Sequence, residues 1–404
     1  MTATTTPAIT ATGWPGDPAA RRRHALAQVE RIRDTLEAGV GESQQLGHLV
    51  PESVEAMRGA GILGIMTPDD LGGNEVDPVT AFEIIEAVGT IDPSLAWTAA
   101  ILLEGAGQLA THLSPEQAAI VFAPKLPLQA VSLRPGSAER AEGGYIVNGR
   151  WDFTSGIHHA DYVSATFWTD AADGKTERRM ALIPAGQFEI LDAWDVLGMK
   201  ATGSTAFQVD SVFVPDEMIY DPMGTPRRTD TPLARLGMVP YILQMHPGMV
   251  LGAARRALDE IIAMAPTKRR GSRINIGASK SLAESSWFQR ELGELDAQIR
   301  AARALALEAN QRVGDTLAAG GEISLELLDS MQTASSFAGK TAHHVITRAF
   351  RQAGAQAIAD DSVLSRLLRD INTILAHGVL GEVGFELHGE FTLGLQTADN
   401  RRMI

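Results

Sequence analysis

The first third of the chain carries apolar residues at spacings of three and four, which is the period of an amphipathic helix. Residues 25–36 and 79–88 show this spacing, and a break at Asp92–Ser94 separates the second run from the next helix, for which Ser94 is a candidate N-cap. The pattern predicts an N-terminal helical domain over residues 18–125. Before it, residues 1–17 are rich in Thr, Ala, Pro and Gly, which predicts a flexible tail.

The middle of the chain has a different residue pattern. Short runs rich in β-branched and aromatic residues, punctuated by glycine and proline, predict strands. These runs are residues 129–133, 145–149, 162–167, 179–183 and 206–214. Since no helix-length segment separates most of them, a doubly wound parallel sheet is unexpected. The pattern predicts a small antiparallel β-barrel or sandwich domain over residues 126–225.

The helical period returns in the last part of the chain. Apolar stripes run through residues 251–262 and 287–305, in long segments that are rich in alanine and poor in glycine. Such segments suit close helix packing, so they predict a C-terminal four-helix bundle over residues 226–404. The expected fold class is therefore α+β, with helices, then a β domain, then a bundle.

Composition narrows the classes of partner and cofactor. The formal net charge of −14 argues against nucleic acid or an anionic membrane as the main partner. The chain of 404 residues has no cysteine, which excludes disulfides, Cys-ligated zinc and iron–sulfur clusters and fits a cytoplasmic location. We expect neither a signal peptide nor a membrane span, because no basic start with an apolar run and no stretch of about 18 apolar residues occurs.

Four stretches, in order along the chain, resemble the acyl-CoA dehydrogenase superfamily. They are residues 60–97, with a Pro-x-x-x-Gly-Gly turn and an Asp-x-Ser, and residues 136–156, 194–219 and 366–377. The resemblance implies the fold of that superfamily, whose order of helical domain, β domain and helical bundle agrees with the three residue patterns.

The second stretch ends in Trp151-x-Phe153-x-Ser155-Gly156, directly after a predicted strand. In the superfamily this segment lies against the flavin ring, so the resemblance implies that Trp151, Phe153, Thr154 and Ser155 bind the cofactor. A hydroxyl of Thr154 or Ser155 would hydrogen-bond the edge of the flavin whose charge and proton change. By itself, the pattern also fits a Ser-Gly turn that closes a hairpin. Its form is more similar to flavin-dependent oxygenases of this fold, which take reduced flavin from a separate reductase, than to the Trp-Ile-Thr-Asn-Gly of many acyl-CoA dehydrogenases.

Two further segments are cofactor candidates through the resemblance. Thr202 and Ser204 lie in the glycine-rich turn 198–204, which lines the cofactor site in the family, and Arg270 lies in the basic run 268–273, where the family contacts flavin phosphate. The alternatives are an ordinary β-turn and a solvated surface loop. We predict no metal site, because the adjacent His158 and His159 point in different directions on a strand.

The carboxylate base of an acyl-CoA dehydrogenase is missing. Aligned on Arg369–Asp370, Gly378 stands where one common arrangement has its Glu, and residues 240–256, which match the other arrangement, contain no Asp or Glu. Only Glu382 and Glu386 lie nearby, and both are off register. His377 adjoins the empty position and can accept a proton from a phenolic substrate or manage a peroxide proton. The alternative role for His377 is to cap a helix before Gly378.

Together these features predict a flavin-dependent monooxygenase that uses reduced FMN or FAD and O2. The resemblance implies that it oxygenates a small, electron-rich substrate through a C4a-hydroperoxyflavin, with His377 as catalytic residue. Trp97, Glu104 and His246 are the substrate-binding candidates, and His246 also has a plausible structural role beside Pro247. The expected partners are a separate flavin reductase and other copies of the chain, in a homotetramer formed through the C-terminal helices. The alternatives are a dehydrogenase or oxidase of non-standard substrates and a catalytically inactive family member.

Overall fold

The computed structural model describes residues 13–170, 176–269 and 281–396. Arg270 and most of its basic run lie outside the described residues, so their predicted cofactor role has no structural counterpart here. The described residues form two compact units. The first unit takes the chain up to Ala81, Thr98–Asp195 and Lys200–Tyr241, and the second takes Phe82–Trp97, Val196–Met199 and the chain from Ile242 onward. The domain boundaries expected at residues 125/126 and 225/226 stay a prediction.

Helices form the first part of the described chain, as the apolar spacing predicts. They are α1 (Pro18–Leu46), α2 (Pro51–Gly59), α3 (Pro78–Gly89), α4 (Pro93–His112) and α5 (Pro115–Phe122). Each begins with proline, whose fixed φ suits the first helical turn. The cap of α4 differs from the prediction. Asp92, rather than Ser94, caps this helix, because the Asp92 carboxylate accepts the backbone N–H groups of Ser94 and Leu95 at 2.9 and 3.2 Å.

The middle of the chain is a mixed sheet with the order β5-β6-β2-β1-β3-β4-β7. Its strands are β1 (Gln129–Ala141), β2 (Gly144–Trp151), β3 (Tyr162–Asp170), β4 (Thr176–Pro184), β5 (Glu189–Leu191), β6 (Ala206–Pro215) and β7 (Ile219–Tyr220). All five predicted strands are confirmed, and the short β5 and β7 were not predicted. The arrangement is not wholly antiparallel, because β1 and β3 pair in parallel, from Gln129 opposite Tyr162.

The C-terminal part is helical, as predicted. Its helices are α6 (Met238–Leu243), α7 (His246–Met264), α8 (Ser286–Ala318), α9 (Leu325–Ala353), α10 (Val363–Ile374) and α11 (Val383–Thr392). Helix α9 lies at the centre and packs against α7, α8, α10 and α11. The predicted stripes are wrong at their ends. Ile262 and Trp287 are exposed, and Phe288 rather than Trp287 is buried on α8.

Within the second unit, α3 and α7 touch backbone to backbone. A Cβ atom at Gly248 would lie 2.5 Å from the carbonyl oxygen of Phe82, and one at Gly252 would overlap the carbonyl oxygen of Glu86. Arg303 of α8 adds ion pairs to Glu83 and Glu86 of α3, at 3.0 and 2.8 Å. Helix α3 therefore depends on α7 and α8 for its contacts in this unit.

None of the helices in the part of the chain that the structure describes is long and apolar enough to cross a membrane.

Candidate active site

The Trp151–Gly156 segment leaves the end of β2 in the first unit. Trp151 is fully buried, stacks on Phe207 with ring centroids 5.1 Å apart, and donates its indole N–H to the carbonyl oxygen of Thr166 at 2.9 Å. These contacts belong to the core of the sheet. Phe153 is different, since it is 59% exposed and holds a positive φ of 61°. A bulky residue in this conformation is unusual and marks a constrained backbone.

The exposed ring of Phe153 has polar and aromatic neighbours. The Arg134 guanidinium lies 4.9 Å from the centroid of the ring, and Trp194 meets it edge-on at 6.3 Å. Arg134 also pairs with Asp152 at 3.6 Å. An exposed aromatic face beside a cation can contact a planar or anionic ligand. The predicted role of Phe153 in cofactor binding therefore has a suitable surface.

Hydroxyl side chains from two segments of the chain form one hydrogen-bonded group after Phe153. The Ser155 and Ser204 hydroxyl oxygens are 2.6 Å apart, and those of Thr202 and Ser204 are also 2.6 Å apart. The backbone joins the two segments as well, since Gly156 donates its N–H to Thr202 at 2.9 Å. We call Ser155, Thr202 and Ser204 the hydroxyl cluster. The structure thus brings together three of the predicted cofactor residues from two separate motifs.

Thr154 is the residue of this segment whose side-chain hydrogen bonding is incomplete. It is completely buried, and among the described residues its hydroxyl oxygen has no hydrogen-bond partner. Its backbone N–H is satisfied by the carbonyl oxygen of Thr205 at 3.0 Å, so only the side chain is left over. An unpaired buried hydroxyl costs about 1–3 kcal/mol. A flavin whose ring edge accepts this hydroxyl would remove the cost, so the residues present fit the predicted cofactor.

Histidines pack beneath the turn that carries the hydroxyl cluster. The His158 ring stacks on His48 at 4.3 Å, and His159 meets His48 edge-on at 5.8 Å. Burial and the neighbouring imidazoles lower the pKa of His159 to about 4, and burial also lowers the pKa of His158. A Cβ at Gly203 would lie 2.8 Å from His158 and 2.9 Å from His48. Among the described residues, no three His, Asp or Glu side chains are placed to hold a metal ion.

The second unit holds a cluster of three aromatic rings from distant parts of the sequence. Trp97 meets His246 edge-on at 5.2 Å and His377 edge-on at 5.0 Å, and the two imidazoles lie 6.3 Å apart with an angle of 18° between their planes. We call these residues the Trp–His cluster. The prediction singled out all three, but nothing in the sequence indicated that they touch one another.

His246 is the most deeply buried member of the Trp–His cluster. It begins α7 and hydrogen-bonds the carbonyl oxygen of Ile242 through Nδ1 at 2.8 Å. A carbonyl only accepts, so Nδ1 carries the proton and Nε2 keeps the lone pair. Burial and the nearby His377 lower the pKa of His246 to about 3. The ring is therefore neutral at physiological pH.

His377 follows the end of α10, in a turn rather than at the helix terminus itself. The residue is exposed as a whole, although its ring is crowded by Trp97 and His246. Burial beside these rings lowers the pKa of the His377 imidazole. The imidazole is therefore neutral at pH 7.

Glu104 lies in the part of α4 that belongs to the first unit. It is buried, and burial raises the pKa of its carboxyl well above the ordinary range. This shift favours the protonated carboxyl, which can donate a hydrogen bond. This property suits a residue that recognises a polar group on a substrate.

The two glutamates that lie off register near the missing base do not replace it. Glu382 and Glu386 are both exposed, at the start of α11. A base for α-proton abstraction needs a sheltered place beside the substrate. The structure therefore gives no support to the acyl-CoA dehydrogenase reaction at this end of the second unit.

Arg369–Asp370 is the pair on which the chain was aligned with acyl-CoA dehydrogenases, and it has a structural role. Asp370 is buried and accepts the backbone N–H of Met199 at 2.6 Å. Asp92 lies close by and pairs with Arg366 at 3.1 Å. Burial and the neighbouring Asp92 raise the pKa of Asp370 to about 7. Asp370 therefore ties the segment Val196–Met199 to α10.

Comparisons with known proteins agree on one family. The model described as acyl-CoA dehydrogenase, N-terminal domain, matches residues 26–124, and that described as acyl-CoA dehydrogenase, C-terminal domain, matches residues 244–382. Indole-3-acetate monooxygenase of Pseudomonas putida is 27% identical over 370 residues, covering 92% of this chain and 93% of the relative. The oxygenase component of p-hydroxyphenylacetate 3-hydroxylase from Acinetobacter baumannii is 25% identical over 382 residues, covering 92% and 89%. Among solved structures, XiaF from Streptomyces sp. in complex with FADH2 and glycerol is similar, with a TM-score of 0.86, 26% identity, and coverage of 94% and 98% of the two chains.

Proposed function

The chain belongs to the acyl-CoA dehydrogenase superfamily, in its flavin-dependent monooxygenase branch, and on that premise we propose that it is the oxygenase component of a two-component monooxygenase. Its relatives of this type include a protein named as an oxygenase component, and a similar structure contains FADH2. The proposed cofactor is reduced FAD or FMN, delivered by a separate reductase. The observation that carries the proposal is the fully buried hydroxyl of Thr154, unsatisfied within the described residues, on the motif that resembles the oxygenases.

Bound reduced flavin would supply the two electrons that activate O2, of which one oxygen atom would go to the substrate and the other to water. The chain supplies the surroundings for this chemistry. Thr154 and Ser155 are the proposed hydrogen-bond donors to the flavin edge, Thr202 and Ser204 support Ser155, and Phe153 offers an aromatic face. Pre-formed donors of this kind stabilise charge without reorganisation during the reaction. Trp151 supports the segment from the core of the sheet.

The proposed substrate is a small, electron-rich aromatic compound. Relatives of this chain are named for indole-3-acetate and p-hydroxyphenylacetate, both of which are aromatic acids. The Trp–His cluster supports this choice, because aromatic rings favour edge-to-face and offset packing with another ring. We propose that His377 serves the proton chemistry of the reaction, and that Trp97, His246 and the buried Glu104 help to select the substrate.

The assembly and location are also proposals. The long α8 and α9, with alanine-rich faces, favour a homotetramer formed through the C-terminal helices. A cysteine-free chain that depends on reduced flavin favours the cytoplasm.

A direct test supplies chemically reduced FAD or FMN, O2 and either indole-3-acetate or p-hydroxyphenylacetate, without a reductase. We expect an oxygenated product whose new oxygen comes from ¹⁸O-labelled O2, and tighter binding of reduced than of oxidised flavin. Retention of oxidised flavin, with substrate oxidation but no incorporation of ¹⁸O, would instead indicate a dehydrogenase or oxidase. A chain that binds neither redox state would be an inactive family member.

A further inference from the structure

His377 stands at the first corner of a tight turn, which we call the His377 turn (residues 377–381). Its own N–H is donated to Ile374 at 3.0 Å, at the end of α10. Its carbonyl oxygen then accepts the N–H groups of both Leu380 and Gly381, at 3.2 and 3.1 Å. The backbone of His377 is therefore fixed on both sides by hydrogen bonds within the second unit.

Helix α9 holds the His377 turn with two buried serines. The Ser335 hydroxyl donates to the carbonyl oxygen of Val379 at 2.7 Å, and the Ser336 hydroxyl donates to that of Gly381 at 2.6 Å. Ser336 also accepts the N–H of Gly384 at 3.1 Å, so it joins the turn to the start of α11. Serine inside a helix is a weak helix former, and here each hydroxyl satisfies a carbonyl of the turn.

The contact between α9 and the turn leaves no room for side chains. A Cβ at Gly339 would overlap the carbonyl oxygen of Leu380, and a Cβ at Gly384 would overlap that of Gln332. The backbone of the turn therefore rests directly on the helix, one helical turn beyond the two serines. Such close packing restricts the turn to one position.

The fixed turn aims one amide at the His377 ring. The N–H of Val379 points at Nδ1 of His377, with 3.4 Å between the nitrogens. A backbone amide can only donate, so this contact, although long for a hydrogen bond, favours an unprotonated Nδ1 in the neutral ring. The proton of neutral His377 then resides on Nε2. His246 has the opposite arrangement, because its Nδ1 carries the proton that is donated to Ile242.

We infer that His377 acts as a neutral hydrogen-bond donor through Nε2–H, and that Ser335 and Ser336 are positioning residues that hold the turn which imposes this tautomer. The inference rests on the proposed function and refines it, since it states which nitrogen of His377 carries the proton and what that nitrogen does.

The consequence for the chemistry is specific. An imidazole that is protonated at Nε2 can accept a proton there only if its own proton first moves to Nδ1. The Val379 N–H points at Nδ1 and opposes that move. His377 therefore suits an oxygen atom that needs a donor, such as a phenolate or carbonyl oxygen of the substrate or the oxygen atom being transferred. It does not suit direct deprotonation of a neutral phenol.

The tautomer can be measured without turnover. Protein labelled with ¹⁵N-histidine is observed by multiple-bond ¹H–¹⁵N correlation at pH 7.5, and the His377 signals are identified by their loss in His377→Ala. We expect a pyridine-like Nδ1 and a pyrrole-like Nε2 for His377, with the reverse pattern for His246. A pyrrole-like Nδ1 for His377 would overturn the inference.

Turnover of two substitutions then separates a donor from a base. Glutamine places an amide N–H near the position of Nε2 and cannot take up a proton, whereas alanine does neither. With reduced flavin supplied, we expect His377→Ala to lose about 10²–10³-fold in single-turnover rate, the effect of removing one aligned donor. His377→Gln should stay within about tenfold of the unmodified protein. Equal losses in both variants would refute the role as a donor.

The part played by α9 is tested by Ser335→Ala and Ser336→Ala, with Ser330→Ala as the matched control. Ser330 lies on the same helix and donates to Glu326 of the preceding turn, so it does not touch the His377 turn. We expect the first two variants to show mixed His377 tautomers and a slower reaction, and the control to show neither. Unchanged tautomers in both variants would exclude the serines as positioning residues. If either variant fails to fold, the tautomer and glutamine experiments still decide the main point.

The inference and the proposed function fail in different ways. An Nε2–H tautomer with undiminished turnover in His377→Ala would remove His377 from the proposed reaction. An Nδ1–H tautomer with turnover lost in both His377→Ala and His377→Gln would leave the proposed reaction intact and overturn the role as a donor.

Discussion

Replacing Thr154 by valine should have opposite effects on the protein without flavin and on flavin binding. Valine has nearly the same shape as threonine but lacks the hydroxyl, which in the described structure is buried without a partner. Since such a hydroxyl costs about 1–3 kcal/mol, Thr154→Val should raise the free energy of unfolding of the flavin-free protein by that order. The same change removes one hydrogen bond to reduced flavin, worth about 0.5–1.5 kcal/mol, so Kd should rise roughly 2- to 13-fold.

The matched control is Thr166→Val. Thr166 is equally buried in the same unit, but its hydroxyl donates to the carbonyl oxygen of Ser132 at 2.6 Å. Its removal should destabilise the flavin-free protein by about 1–3 kcal/mol, because that carbonyl loses its donor. Denaturant titrations give the two stability changes, and anaerobic titration with reduced FAD or FMN gives the affinities. If Thr154→Val destabilises the flavin-free protein as Thr166→Val does, the hydroxyl already has a partner and the argument for the flavin site fails.

Three other predictions concern the second unit and the assembly. His377→Ala should keep the fold and the affinity for reduced flavin but lose most product formation; a small loss of stability with unchanged yield per folded molecule would instead show that His377 only supports the local structure. The pKa of Asp370 is about 7 in the folded protein and near 3.8 in the unfolded chain. Between these two pH values the folded state therefore binds one proton more than the unfolded state. The free energy of unfolding should fall as pH rises from about 4 to 7 and should level off above pH 7. Asp370→Asn should flatten that slope in denaturant titrations across this range, and an unchanged slope would assign the proton to another group. Light scattering at micromolar concentration should show a tetramer, and a monomer there would contradict the proposed assembly.

Much of the fold could be predicted because its signals are local. The five strands of the β domain and the helical ends follow from periodicity and from glycine and proline punctuation, which act over a few residues. The predictions of the fold were wrong where the structure depends on residues outside the local pattern. Asp92 and Ser94 are both good N-cap residues, and only the path of the chain before α4 selects Asp92. Whether β1 and β3 pair in parallel is set by the connection through β2, which periodicity does not reveal.

The candidate site was likewise only partly predictable from the sequence. The resemblance to a family identified the Trp151–Gly156 segment and His377, but not the contacts that give them their properties. That Thr154 rather than Ser155 has the unsatisfied hydroxyl depends on Ser204, 49 residues away from Ser155. The state of His377 depends on Ser335 and Ser336, which in the sequence are two ordinary helical serines. Their adjacency inside a long helix is a weak signal, because serine is a poor helix former, but it does not show what their hydroxyls bond.

The close contact between α3 and α7 also bears on how the chain is made. Phe82 and Glu86 leave the ribosome 166 residues before Gly248 and Gly252, respectively, against which their backbone packs. At typical rates of synthesis, this interval is on the order of 10–30 s. During that time the α3 backbone around Phe82 and Glu86 lacks its native contact with α7. We therefore expect the nascent chain to need a chaperone until α7 emerges, and slower translation before residue 248 to lower the yield of folded protein.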